Sequence, residues 1–454
     1  MMAIGALLIL GGIAMLQGGC SPLRRPAVGG ARSPSPPPPD LFEGIEKIEL
    51  PPEALAGPFL RVGLAENLTE AMISARGEFE VAFYGDSTVV WKAESGDEWA
   101  LRDVEGRLAI AAPGNVLAGG SGTVRVRASG AWPVVYDGTP YRGELEIFAA
   151  RTGGLTVVNV VDVESYLRGV VPLEIGPRPG EEIEAVKAQA VAARTYAVAA
   201  SGSRAQGDFD VFATVSDQVY GGYDVEDGVC DRAVLETVGL VLLKDGEPIN
   251  AYFHSTCGGR TEAREEIWEL GELPYLESIW DTPGGITRLD EAYCSPASSF
   301  TWEERWSGDE IEELVRTHLP SVASTPVEQP FRRVKDLQVT ARTPSGRCRW
   351  LEIETDGGTY RIFGDKVRWL LRRPGTVKIL KSAWFELEVK RRGGRVTEVV
   401  AEGRGLGHGV GMCQHGALEM ARRGFTYDEI LEHYYHGIAI RQWSRERGPY
   451  GSGP

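Results

Sequence analysis

Long apolar runs are nearly missing from this 454-residue chain. The single one, MMAIGALLILGGIAMLQGG at residues 1–19, is uncharged but short of the ~20 apolar residues that a membrane-spanning helix needs. No later stretch is long and apolar enough to span, so the remainder is expected to be soluble and, given the export signal read below, outside the cytoplasm. Cysteine is equally scarce. Five residues (Cys230, Cys257, Cys294, Cys348 and Cys413) follow Cys20 at long, irregular intervals. That excludes a dense disulfide framework, and an odd number in an exported chain leaves at least one free thiol or metal ligand. Positive charge is also in deficit: 48 Lys and Arg stand against 64 Asp and Glu, a net charge of −16. Such a field repels polyanions and argues against nucleic acid as the main partner.

What remains is ordinary globular substance. Hydrophobic residues make up 43% and charged residues 25%, which excludes a wholly disordered or fibrous chain. The length is about three times the ~150-residue prior for one domain, so more than one core or subdomain is expected. The 57 glycines, roughly one residue in eight against a usual ~7%, call for many turns and fit a β-rich fold. The apolar start reads as an export signal, and Gly18-Gly19-Cys20 resembles a bacterial lipobox, whose cysteine is lipidated after cleavage. Residues 1–20 are thus expected to be a signal or lipobox holding the protein at a membrane by lipid or anchor. Residues 21–57 form a proline-rich tether, with prolines at 36–39 favouring extended polyproline II.

The folded region is expected over 58–445, with a flexible tail at 446–454. From Phe59 to about Ile147 short strands alternate with turns: Leu60, Val62 and Leu64 share one face, as do Val124, Val126 and Ala128, and Asp137-Gly138 marks a hairpin. Leu155–Val163 reads as a buried strand. Glu181–Ala200 is the clearest helix, with Ile183, Val186, Ala190, Ala193 and Ala197 at helical spacing. Its stripe is mostly alanine, so a neighbour must pack very close. Capping boxes at Ser307/Glu310 and Thr426/Glu429 open two later helices, and a third is expected over about Gln414–Arg423. The fold class is α+β: a β-rich mixed core with a central Ala-rich helix and C-terminal helices, plus a smaller inserted α/β subdomain at 302–384.

Three blocks carry chemistry: Tyr166–Glu174 with the helix after it, Asn250–Thr261, and Gly403–Ala417. Glu174 lies among Val170, Val171, Pro172, Leu173 and Ile175. Apolar surroundings penalise the charged carboxylate and raise its pKa, so that it can serve as an acid and then as a base. Lys187 and Arg194, two turns apart on the helix, are candidates to orient an oxygen-rich ligand; the competing reading is a salt bridge from one of them to Glu174. Glycines at 403, 405, 407, 409 and 411 leave the backbone around His408 open to a ligand; the competing reading is a tight β-turn array with a structural histidine.

In this order and spacing the blocks resemble the catalytic domain of the stage II sporulation protein D / amidase-enhancer family. The matching pieces are Tyr166…Glu174, the KAQAVAARTYA helix, Asp217-Gln-Val-Tyr220, Ser-Thr-Cys-Gly-Gly-Arg-Thr with Trp268 after it, and GHGVGMCQ followed by Tyr434-Tyr435. The resemblance implies an exported lytic transglycosylase acting on peptidoglycan glycan strands stripped of stem peptides, with Glu174 as its catalytic acid. It implies substrate contacts from Lys187, Arg194, Tyr220, Arg404, His408, Gln414 and His415, the last standing where the family often has Trp. A second reading is a non-catalytic glycan-binding enhancer of a cell-wall amidase, which would be its partner.

His254-x-x-Cys257 has metal-ligand spacing and Cys294 lies downstream. Some relatives carry zinc near this stretch, and a structural zinc wants four protein ligands. Three are evident, and Asp281 or Asp290 is a candidate fourth. A Cys257–Cys294 disulfide and free thiols are the alternatives. Cys413 reads as a small packed side chain at a helix start, and a zinc hydrolase using His254, Cys257 and His408 is a further reading.

Overall fold

A computed structural model describes residues 57–443, apart from 86–87, 151–152, 202–207 and 286. The export signal, all but the last residue of the tether, and the tail lie outside the described residues. Within them run twenty-four strands and nine α-helices, a β-rich α+β fold. No described helix is long and apolar enough to cross a membrane.

Residues 59–162 build most of two sheets. The larger has the order Val211–Phe212, Phe59–Leu68, Leu155–Asp162, Glu144–Ala149, Thr123–Ala128, Phe79–Tyr84, Thr88–Ala93. Strict alternation sends Leu60, Val62 and Leu64 inward together with Val124, Val126 and Ala128. Leu155–Asp162 is buried along nearly its whole length, as an unbroken apolar run requires. The second sheet contains the hairpin Val134–Tyr136/Thr139–Tyr141. Its turn residues Asp137 and Gly138 take φ of 47° and 77°, the left-handed pair that matches strand twist.

The alanine helix spans Ile183–Ala200, preceded by a 3-10 turn at Gly180–Glu182. Helices Gly228–Glu236, Gln414–Arg422 and Tyr427–Tyr434 and strand Leu240–Lys244 all pack on it. Ala185, Ala188, Ala190, Ala192, Ala193 and Ala197 are fully buried there, since small side chains let helix axes approach to about 8 Å. The C-terminal helices are thereby drawn against the middle of the chain.

A second core gathers residues from Trp302 to Ala401. Helix Gly308–Val322 carries both arms of the Ser307/Glu310 capping box. The core continues past 384 to Phe385, Val396, Val399 and Ala401, because strand Arg395–Arg404 pairs back with Thr301–Ser307. That returning strand runs straight into the glycine-rich loop.

Candidate active site

Asp162 caps the helix Val163–Arg168 by accepting the Ser165 N–H at 2.9 Å. A second, one-turn helix, Val171–Glu174, follows directly and places Glu174 at its end. Val170, Val171 and Ile175 are buried around it, while Glu174 itself stays partly exposed. The Val219 N–H donates to its Oε1 at 2.9 Å, and no described cation pairs with it. Burial pushes its pKa from 4.5 to about 7, against the opposing pull of the Val219 hydrogen bond. The acid is therefore protonated for much of the time near neutrality and ready to give that proton up. Neither Lys187 nor Arg194 bridges to it.

Both of those cations are engaged elsewhere. Arg194 is 1% exposed, and its Nε and Nη2 donate to the two oxygens of Glu164 at 2.8 and 2.6 Å. A guanidinium sunk in the core needs such a partner, and this one is structural. Lys187 holds Glu184 at 2.8 Å and Glu236 at 2.6 Å. Tyr220 is also no ligand contact in this arrangement. It is buried, donates to Asn159 Oδ1 at 2.9 Å, and packs against Tyr166 with ring centres 5.0 Å apart. Gln414 is nearly buried and donates to Gln189 Oε1 at 3.3 Å.

A row of partly exposed rings is built instead. Tyr196, on the alanine helix, donates to Asp217 Oδ1 at 2.8 Å, two residues before the Val219 that holds Glu174. Its ring lies 5.9 Å from Tyr252; Tyr252 lies 5.1 Å from Trp268, and Trp268 lies 5.1 Å from His408. His408 is an expected site residue, whereas Tyr196, Tyr252 and Trp268 are additions. Each stands inside or beside a chemistry-bearing block, but only folding aligns them. His408 accepts the Val410 N–H on Nδ1 at 3.0 Å, and burial lowers its pKa to about 4, so it is a neutral ring at pH 7. Arg404 stacks on Trp384 at 5.3 Å, and partly exposed His415 sets Nδ1 3.0 Å from the Ser255 carbonyl.

The glycines of the loop follow the tight-turn reading more than the ligand-facing one. The N–H groups of Gly405, Leu406 and Gly407 donate to the Phe300, Thr256 and Lys381 carbonyls at 2.8–3.0 Å. Gly409, at φ 89°, lies flat on the Arg347 guanidinium, where a Cβ would collide. The absent side chains admit neighbouring protein rather than ligand.

Sulfur gathers behind this loop. One donor atom each from Cys257, Asp281, Cys294 and Cys413 lies within 4.8 Å of the others, all buried. Cys257 Sγ is 3.0 Å from Asp281 Oδ2 and 3.4 Å from Cys294 Sγ, and Cys413 Sγ accepts the Cys257 and Gly416 N–H groups. Tyr434 donates to the other oxygen of Asp281 at 2.7 Å. All five described cysteines are free thiols, so the disulfide reading gives way. His254 is also no ligand here: its Nδ1 faces the Val410 carbonyl at 3.2 Å. Cys413 takes its place, reached only because strand Phe253–His254 pairs with Met412–Cys413. With no histidine in the set, the zinc-hydrolase reading loses its ligands. Three thiols and a carboxylate fit a four-coordinate cation, whose bound sulfurs would stand about 3.8 Å apart in a tetrahedron of ~2.3 Å bonds.

Residues 151–243 match the family model described as stage II sporulation protein, and residues 294–411 match a domain of unknown function (DUF8618). An uncharacterized protein of Brachyspira hyodysenteriae is 31% identical over 68% of this chain and 74% of its own length. The stage II sporulation protein D of Bacillus amyloliquefaciens is 31% identical over 64% of this chain and 77% of its own. The amidase enhancer of Bacillus subtilis is 29% identical over 61% of this chain, but the match spans 40% of that longer protein. The acid in its apolar niche and the alanine helix fall within the family-model match, and the chain belongs to the stage II sporulation protein D family.

Proposed function

We propose that the protein is an exported lytic transglycosylase. It would cut the bond between N-acetylmuramic acid and N-acetylglucosamine in peptide-stripped peptidoglycan strands. The observation that carries the reading is Glu174: lifted to about 7 by burial, partly exposed, and free of any described cation. The protonated acid gives its proton to the glycosidic oxygen as that bond breaks. The resulting carboxylate then takes the proton from the muramoyl C6 hydroxyl, which closes a 1,6-anhydro ring. Ordinary glycosidases need a second carboxylate to attack or to activate water; here the sugar's own hydroxyl does that work. Asp217 is not such a partner, since its oxygens already accept from Tyr196 and the Phe212 N–H. The row Tyr196, Tyr252, Trp268 and His408 supplies apolar faces on which sugar rings can stack.

The thiol–carboxylate cluster would hold zinc, which prefers thiolate-rich tetrahedral sites. Cys257, Asp281, Cys294 and Cys413 would all be its ligands, leaving no open position. Such an ion would cross-link four separated segments rather than take part in the reaction. Export, with a lipid on Cys20 and a position facing the periplasm or cell wall, follows from the N-terminal sequence. Cell-wall remodelling linked to sporulation or division is the corresponding role.

The relative named amidase enhancer favours a second reading, a glycan-binding protein that stimulates a cell-wall amidase without turnover. One assay separates the two. Incubation with amidase-stripped glycan should yield anhydromuramoyl ends, and Glu174→Gln should abolish them. Glycan capture by wild type without such ends would establish the binding reading instead.

A further inference from the structure

The segment 294–411, matched to a domain of unknown function, sends one buried cation back to the thiol cluster. Arg347 is 1% exposed, and none of its described hydrogen bonds runs to a carboxylate. Its Nη2 donates to the Cys257 carbonyl at 2.7 Å and to the Arg260 carbonyl at 3.1 Å. Its Nη1 donates to Ser345 Oγ at 2.9 Å, its plane stacks on Trp384 at 5.1 Å, and its Nε has no partner. A lone buried guanidinium is costly unless negative charge lies near. Three sources are in range. Glu262 is fully buried and accepts from Thr343 Oγ1 and Ser345 Oγ at 2.6 Å each, so Ser345 sits between the two charges. Asp365 is a second, but it is already paired with Arg368 at 2.9 Å. The Cys257 and Cys413 thiols are the third. Three thiolates and a carboxylate around a divalent cation leave a net double negative charge among buried residues. A further cation-capable group reaches the ligands at His433, whose Nε2 lies 3.4 Å from Asp281 Oδ1.

We propose that Arg347 is the counter-charge of a metal–thiolate centre formed by Cys257, Asp281, Cys294 and Cys413, so that segment 294–411 sets the affinity of that centre for a thiophilic divalent cation. Arg347 is a positioning residue, not a ligand: it acts through the Cys257 carbonyl and through its field. Glu262 competes with the cluster for the same positive charge. The two residues therefore have opposite effects on metal affinity, although both hold the same loops together. This rests on the cluster being a metal site and is independent of the transglycosylase reading.

The test is titration of the reduced full-length chain with Co²⁺, read by sulfur-to-cobalt charge-transfer absorption, followed by competition with Zn²⁺. Wild type is expected to bind one equivalent. Arg347→Met should bind at least about tenfold more weakly, as expected for losing a nearby charge in a low-dielectric interior, and Arg347→Lys should recover most of that loss. Glu262→Gln keeps the hydroxyl contacts and removes the competing charge, so it should bind several-fold more tightly. If wild type shows no charge-transfer band, the metal reading itself falls. If wild type binds but Glu262→Gln is unchanged or weaker, or Arg347→Met is unchanged, the electrostatic role of Arg347 is overturned. The Glu262→Gln arm decides even where Arg347→Met fails to fold.

Discussion

Replacing Glu174 with Gln should stabilise the protein, and only above acidic pH. Burial raises the folded pKa from 4.5 to about 7, so the folded state prefers the neutral acid. Below pH ~4.5 both folded and unfolded chains carry it protonated, and nothing is lost. Between pH 4.5 and 7 the unfolded chain gives up this proton while the folded protein keeps it, so stability falls, and the loss levels off once the folded acid ionises above about 7. A rise from 4.5 to about 7, at about 1.4 kcal/mol per pH unit, amounts to up to about 3 kcal/mol at pH 8. Glutamine resembles the neutral acid in shape and polarity and does not titrate. The stability difference between variant and wild type should therefore be near zero at pH 4 and grow to about 3 kcal/mol by pH 8. Denaturant unfolding of both proteins across this range measures it, and all other titrating groups cancel in the difference. A difference that stays flat with pH, or a variant that is weaker at pH 8, would refute the buried-acid argument. The proposed chemistry would lose its basis with it, because that chemistry needs the same displaced pKa.

Two further outcomes follow from the surroundings of the acid. Arg194→Met should destabilise the fold by about 3–5 kcal/mol, because it strands the Glu164 carboxylate in the core; Lys187→Met, on a part-exposed pair network, should cost under about 1 kcal/mol. Equal losses in unfolding experiments would contradict the structural assignment of Arg194. Trp268→Ala should weaken capture of peptide-stripped glycan by about tenfold, from the lost stacking face, while leaving the Glu174 pH–stability curve unchanged. Wild-type capture by this variant would remove the ring row from the binding surface.

Much of this protein is written locally. Alternation of Leu60, Val62 and Leu64, the capping boxes at Ser307 and Thr426, and the alanine stripe at 185–197 each depend on neighbours a few residues away. They therefore announced strand, helix starts and close packing without any tertiary information. Glu174 was legible for the same reason, since its apolar neighbours adjoin it in the chain. The roles of the cations were not. Arg194 and Lys187 look alike as helix residues, and only the packing of Glu164 and Glu236 beside them decides that both are paired away from a ligand. The metal ligands were half legible. His254, Cys257 and Cys294 form a plausible local set, but Cys257 meets Cys413 across 156 residues of sequence. That meeting, which excludes His254 and recruits Asp281 and Cys413, depends on the parallel pairing of Phe253–His254 with Met412–Cys413. The chain alone marked an acid with apolar neighbours, an alanine-striped helix and a glycine-rich loop, because short-range periodicity and local apolar context are encoded residue by residue. Only the tertiary structure decided which side chains meet, because contacts between distant segments are selected by the packing of the whole core.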